Sequence, residues 1–226
     1  MKEGSKLDPR AEIVKTALKI KDAGLVRGTW GNLSVKDKNV IWITPSGMPY
    51  DLLTPEDIVP VDLEDGRVLH SSLTPSSELL MHLEIYHNFP EINAVIHTHS
   101  VYASVFAVAR CEIPCYTEDQ AQIIGGSVRV TPYAPTGTEE LARYVVRALE
   151  NRFAALIANH GAVAIGRSLR EAYTVAEILE KSAEIAYALK SMLPDEPPSE
   201  LEEVEIAHLR RVYLESYGKK IAGSDR

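Results

Sequence analysis

Two histidines one residue apart, His97 and His99, close the run I-N-A-V-I-H-T-H-S that begins at Ile92. The apolar residues Ile92, Ala94, Val95 and Ile96 predict a buried strand that enters a turn at Ser100. Side chains at i and i+2 of a strand share a face, so the two imidazoles project side by side. Two neutral imidazoles aimed at one point make half of a zinc site, although packed or surface histidines give the same H-x-H pattern. Two further features favour the metal. Asn159-His160-Gly161 sits between the apolar runs 153–158 and 162–165 and offers a third nitrogen. Ser76-Ser77-Glu78, at the start of a helix just before the His strand, offers the carboxylate of Glu78 as a fourth ligand. Of the seven histidines, His70, His82, His87 and His208 have no such company. His82 and His87 fall on a predicted helix face, where a solvated or interhelical role is the simplest reading.

Three small polar turns carry a second kind of chemistry. They are Gly28-Thr29-Trp30-Gly31-Asn32, Thr44-Pro45-Ser46-Gly47 and Pro75-Ser76-Ser77. Hydroxyls, an amide and backbone N–H groups at turns and at a helix start are what a phosphate needs where basic residues are not in excess. Each alone is ordinary turn chemistry.

The formal net charge of −8 argues against a broad nucleic-acid footprint. An anionic substrate therefore needs a local, preorganised site. No apolar run approaches the length of a membrane span, and the first residues lack the apolar centre of a signal peptide. Cys111 and Cys115 are four apart, which is not a C-x-x-C spacing, so reduced thiols and a cytoplasmic location are expected. Neither nucleic acid nor membrane is an expected partner.

The elements that must position these groups alternate along the 226 residues. A helical stripe over 10–23 is closed by Gly24, and short runs at 33–35 and 40–44 read as a hairpin. A helical turn is expected at 54–57, and the runs 59–63 and 67–69 read as a second hairpin. A helix after Pro75 runs through Tyr86 and buries Leu79, Leu80 and Leu83. Further helices are expected over 101–109, 139–150 and 168–192, the last opened by the capping box Ser168-Leu169-Arg170-Glu171, with a strand near 127–131. The proline-rich stretch 193–198 reads as a linker, followed by an amphipathic helix over 199–217 that carries Val204, Ile206, Leu209 and Val212. The pattern predicts one α/β domain with a mostly antiparallel central sheet and helices on both faces. It disfavours a doubly wound nucleotide fold, since neither G-x-G-x-x-G nor a Walker lysine loop is present.

Taken in order, G-T-W-G-N-L-S, I-T-P-S-G-M-P-Y, P-S-S-E, H-T-H-S and N-H-G resemble the class II aldolase/adducin family over roughly residues 10–192. Within it they are most similar to sugar-phosphate aldolases of the L-fuculose-1-phosphate type. The resemblance implies a single class II aldolase-like domain over 1–226, with its core at about 10–192 and a tail helix at about 199–217. It implies one zinc ion per subunit on His97, His99 and His160, with Glu78 as resting ligand and catalytic base. It assigns the substrate phosphate to Thr29, Gly31, Asn32, Ser46, Gly47, Ser76 and Ser77. It also implies a C4 homotetramer with active sites at subunit boundaries. The tail residue Tyr217, on periodicity a half-buried anchor, would then reach a neighbouring active site as an acid. The implied reaction is cleavage of a ketose 1-phosphate to dihydroxyacetone phosphate and an aldehyde.

The chain departs from that pattern at Thr136, where such aldolases carry Phe, and at Glu118-Asp119, where they place a Tyr. Both family positions face the aldehyde end of the substrate, so fuculose as the sugar is in question. The alternatives are a pentulose-5-phosphate 4-epimerase, a sugar-acid phosphate decarboxylase, a methylthioribulose-phosphate dehydratase and a non-enzymatic adducin-like scaffold. Trp30 favours the epimerase, Glu78 disfavours it, and the complete histidine set disfavours the scaffold.

Overall fold

The computed structural model describes residues 8–193, 195–196 and 198–216. Six strands form one antiparallel sheet: β1 (Asn32–Asp37), β2 (Val40–Ile43), β3 (Val59–Asp62), β4 (Ala94–Thr98), β5 (Ala154–Ile157) and β6 (Gly161–Gly166). Their order across the sheet is β3-β2-β1-β4-β6-β5. Among the described residues seven α-helices accompany it: α1 (Pro9–Asp22), α2 (Leu79–Asn88), α3 (Val101–Ala109), α4 (Glu118–Ile123), α5 (Glu139–Leu149), α6 (Leu169–Met192) and α7 (Glu203–Ser216). The protein is thus a mixed α/β fold around an antiparallel sheet. No described helix is long and apolar enough to cross a membrane.

β4, β5 and β6 are buried at every position. Their continuous apolar sequences fit that placement, because a strand covered on both faces has no polar side to alternate with. Asn32 pairs with His97 across β1 and β4, and Val163 pairs with His97 across β4 and β6. The first histidine of the H-x-H run therefore sits on a central strand, flanked by β1 and β6, and the second lies just beyond that strand's end.

Several expectations need correction. α2 begins at Leu79, with Glu78 as its N-cap, and Leu80 points outward at 41% exposure. Its buried face carries Met81, His82, Leu83, Ile85 and Tyr86. The second hairpin shrinks to a single bridge between Val61 and Val68. The strand near 127–131 makes only isolated bridges, Val128 with Ile113 and Val130 with Leu156. On α7 the inward face holds Ile206, Arg210 and Tyr213, whereas Val204 and Val212 are exposed. Arg210 lies over the Phe153 ring at 4.0 Å and donates to the carbonyls of Gln122 and Ile123, so a long cationic side chain fills a core-facing position. Cys111 and Cys115 are free thiols. Tyr217 lies outside the described residues.

Candidate functional site

Three elements deliver the histidines to one place. β4 supplies His97 and ends at Thr98, so His99 follows in the turn before α3. The tight turn from β5 to β6 supplies His160, whose N–H donates to the Ile157 carbonyl at 3.0 Å. Asn159 adopts the left-handed conformation there (φ 57°), and its side-chain oxygen accepts from the Arg110 guanidinium. Gly161 is required by close packing: a Cβ at this position would lie 2.3 Å from the Thr98 carbonyl oxygen and 3.2 Å from His97 Cε1. The three ring centroids form a near-equilateral triangle with sides of 4.7, 4.8 and 4.8 Å.

The orientation of His97 follows from one hydrogen bond. Its Nδ1 donates to the Ala162 carbonyl at 2.9 Å, which leaves a lone pair on Nε2. That atom lies 2.9 Å from His99 Nε2 and 3.1 Å from Glu78 Oε2. Glu78 reaches this point from the start of α2, where its N–H donates to Ser76 Oγ at 3.3 Å. Its Oε2 accepts from Asn32 Nδ2 at 2.8 Å. Its Oε1 is buried without a hydrogen-bond partner, 3.6 Å from His160 Nε2. An orphaned carboxylate oxygen facing imidazole nitrogens is an arrangement that a cation would satisfy. The three imidazoles, with Glu78 oxygens 3.1 and 3.6 Å from two of them, make a nitrogen and oxygen donor set that suits a tetrahedral ion such as zinc. The side chains present therefore fit a bound metal.

Burial keeps these imidazoles uncharged. It lowers His97 and His99 to about 4 and His160 in the same direction. For His97 the Ala162 carbonyl opposes the shift without cancelling it. His82, wholly enclosed beneath the site, is pushed down to about 3, mainly by desolvation. Each such group has a folded pKa below its unfolded value near 6.5, so the unfolded chain binds more protons between the two. Stability then falls as pH drops below about 6.5, by up to about 1.4 kcal/mol per pH unit for each of the fully buried rings, His82 and His97, and by less for the partly exposed His99 and His160. Metal-stripped protein melted at pH 8, 7, 6 and 5 should show a level Tm from 8 to 7 and a marked fall from 6 to 5. An unchanged Tm at pH 5 would contradict the burial of these rings as neutral groups.

Beside the histidines opens a cavity of about 360 Å³. Its wall includes Thr29, Gly31, Asn32, Ser46, Gly47, Ser76, Ser77, Glu78, His99 and His160, so the seven residues expected to hold the phosphate lie together beside the histidines. The turns are held together by reciprocal backbone bonds: Ser46 N–H donates to Thr74 O at 3.0 Å, and Ser76 N–H to Thr44 O at 3.1 Å. Gly31 (φ 108°) permits the close crossing over the His97 carbonyl, 2.9 Å from where a Cβ would sit. No lysine or arginine is among the described lining residues. An anion bound here would rely on hydroxyls, amides and backbone dipoles.

Trp30 and Thr136, which the sequence marks only through the family pattern, also line the cavity, and the Trp30 ring lies 5.8 Å from that of His99. One buried group beside the site was not expected. His82 is not a solvated helix residue: it is fully buried and bonded to Asn32 and Ser34. The signal was the spacing Glu78, His82, Tyr86, which puts three polar groups on one helix face. Glu118 and Asp119 are not among the described lining residues, and Asp119 is paired with Lys181 of α6.

Comparison with known proteins gives a consistent result. Residues 11–187 match the family described as class II aldolase and adducin N-terminal domain. A 5-deoxy-D-ribulose 1-phosphate aldolase of Bacillus thuringiensis is 39% identical over 213 residues, covering 93% of this chain and 97% of that protein. An L-fuculose phosphate aldolase of Methanococcus maripaludis is 36% identical over 181 residues, covering 80% and 97%. A solved L-fuculose 1-phosphate aldolase superimposes with a TM-score of 0.87 at 36% identity, over 93% of this chain and all of that one.

Proposed function

Since the chain belongs to the class II aldolase and adducin family and is a lyase of its metal-dependent aldolases, we propose that it is a zinc-dependent aldolase that cleaves a ketose 1-phosphate to dihydroxyacetone phosphate and a small aldehyde. One observation carries this reading: three imidazoles and Glu78 converge at the edge of a cavity whose remaining polar wall is hydroxyls and amides.

His97, His99 and His160 would hold the ion, with Glu78 as the fourth ligand at rest. When bound there, zinc supplies Lewis-acid stabilisation of negative charge developing on the ketose oxygens. The other tasks fall to the chain. Thr29, Asn32, Ser46, Ser76 and Ser77, with the backbone at Gly31 and Gly47, bind the phosphate and orient C3 of the sugar. As the C3–C4 bond breaks, its electron pair passes to C3 and spreads toward the C2 oxygen, and the C4 hydroxyl loses its proton to leave as the aldehyde. Glu78 delivers a proton to C3 of the dihydroxyacetone phosphate half and removes it in the reverse direction. The family resemblance gives Tyr217 of a neighbouring subunit the exchange of that proton: the phenolate takes it from the C4 hydroxyl in cleavage, and the phenol returns it to the aldehyde oxygen in condensation.

The same reading includes a C4 homotetramer with boundary active sites. In support, Val101, Val105 and Val108 form an exposed apolar face on α3, immediately after His99. The two sugars named for the relatives share a chemistry: 5-deoxyribulose 1-phosphate and fuculose 1-phosphate both yield dihydroxyacetone phosphate, and both aldehyde halves end in a methyl group.

A panel of ketose 1-phosphates and pentulose 5-phosphates tests the proposal, with triose phosphate release and epimer formation read separately. Dihydroxyacetone phosphate should appear from 5-deoxyribulose 1-phosphate or fuculose 1-phosphate. The matching unphosphorylated ketose should be poorer by at least about a hundredfold in kcat/KM, because several phosphate hydrogen bonds are lost together. Epimerisation of a pentulose 5-phosphate without triose phosphate release would replace the aldolase reading with the epimerase.

A further inference from the structure

Beneath the cavity, two rows of polar side chains interleave in an otherwise apolar core. Glu78, the N-cap of α2, is followed at intervals of four residues by His82 and Tyr86 on that helix, and Asn32 and Ser34 share a face of β1. Tyr86 Oη and Ser34 Oγ are 2.7 Å apart, and Ser34 Oγ and His82 Nδ1 are 2.6 Å apart. His82 Nε2 and Asn32 Oδ1 are 2.6 Å apart, and Asn32 Nδ2 lies 2.8 Å from Glu78 Oε2. All five residues are buried.

The direction of these bonds is fixed from the carboxylate backward. Glu78 Oε2 accepts from Asn32 Nδ2, so Asn32 turns its NH2 toward the carboxyl group and its Oδ1 toward His82. An amide oxygen can only accept, so His82 must carry its proton on Nε2. Its partners, Asn32 and Ser34, are both neutral, so the enclosed ring stays uncharged and Nδ1 accepts. Ser34 then donates to Nδ1 and accepts from the Tyr86 hydroxyl. Every proton points toward the metal-binding end.

We propose that Tyr86, Ser34 and His82 form a positioning relay that locks the Asn32 amide, so that one N–H holds Glu78 and the other is presented to substrate in the cavity. His82 touches neither substrate nor metal; it acts through Asn32. Binding of the phosphate end and placement of the base are thereby joined at a single side chain. This rests on the reading of Glu78 as base and Asn32 as a phosphate donor. Without the relay the amide could flip, which would set its oxygen against the carboxylate and remove both donors at once.

Two amide substitutions separate this from mere filling of space. In His82→Gln the side-chain amide reaches the position of Nε2 and can donate to Asn32. In His82→Asn it reaches only the position of Nδ1, and Asn32 loses its donor. Both are compared with wild type for zinc content, thermal melting, KM for the ketose 1-phosphate, and deuterium exchange at dihydroxyacetone phosphate. The relay predicts that His82→Gln stays within about threefold of wild type in KM and exchange. It predicts that His82→Asn raises KM and slows exchange, each by at least about tenfold, with zinc still bound. Equal behaviour of two folded variants would overturn the proposal. Should either fail to fold, the neutron structure of wild-type protein decides: a proton on His82 Nε2 with Nδ1 bare supports the relay, and the reverse overturns it. If Glu78→Gln leaves exchange intact, the base assignment fails, yet the KM split and the proton position still judge the relay.

Discussion

Replacing His97, His99 or His160 singly with alanine should abolish turnover and stoichiometric metal retention. The three rings face one another at centroid distances under 5 Å, and a tetrahedral ion that loses one of three nitrogens keeps an incomplete site. The variants should differ in stability. His99 and His160 are partly exposed, so their removal costs little packing. His97 is fully buried and donates to the Ala162 carbonyl, so His97→Ala leaves a void and an unpaired acceptor, the latter costing about 1–3 kcal/mol. Metal content after dialysis, measured beside thermal melts, separates lost ligation from lost fold. Stoichiometric metal retained in any two folded variants would refute the ligand assignment.

Glu78→Gln should give the opposite pattern: metal retained, chemistry lost. The three imidazoles remain, and a glutamine can turn its oxygen toward Asn32 Nδ2, where Glu78 Oε2 accepts at 2.8 Å. The substituted amide cannot take a proton from carbon. Proton exchange at bound dihydroxyacetone phosphate, followed by NMR in heavy water, should fall by about a hundredfold or more. Exchange at near the wild-type rate would mean that another group is the base.

Much of this was legible in the sequence because burial and chemistry coincided with simple patterns. The continuous apolar runs around His97 and His160 could only be covered strands, and the glycine- and serine-bearing turns around Asn32, Ser46 and Ser76 announced themselves as polar loops. What was hidden depended on tertiary contact. The apolar period of α7 was readable, but its phase was not, because Arg210 fills a core-facing place through a stacked guanidinium that hydropathy counts as surface. The Arg67–Leu69 run lacks a second partner strand, so alternation alone did not make it a ladder. His82 was misplaced for a related reason: a histidine is polar by composition, and only the fold shows that Asn32 and Ser34 satisfy both of its ring nitrogens. Thr136 and Trp30 line the site through loops whose convergence no local spacing encodes, so only the family pattern pointed to them.

Release of dihydroxyacetone phosphate from 5-deoxyribulose 1-phosphate and fuculose 1-phosphate, followed before chelation, after it, and after zinc is titrated back, tests metal-dependent aldol cleavage at this site most directly. Release should stop when the metal is removed and return in proportion to zinc, levelling at one ion per subunit. Undiminished release from metal-free protein, or no release from either sugar with zinc bound, would contradict it.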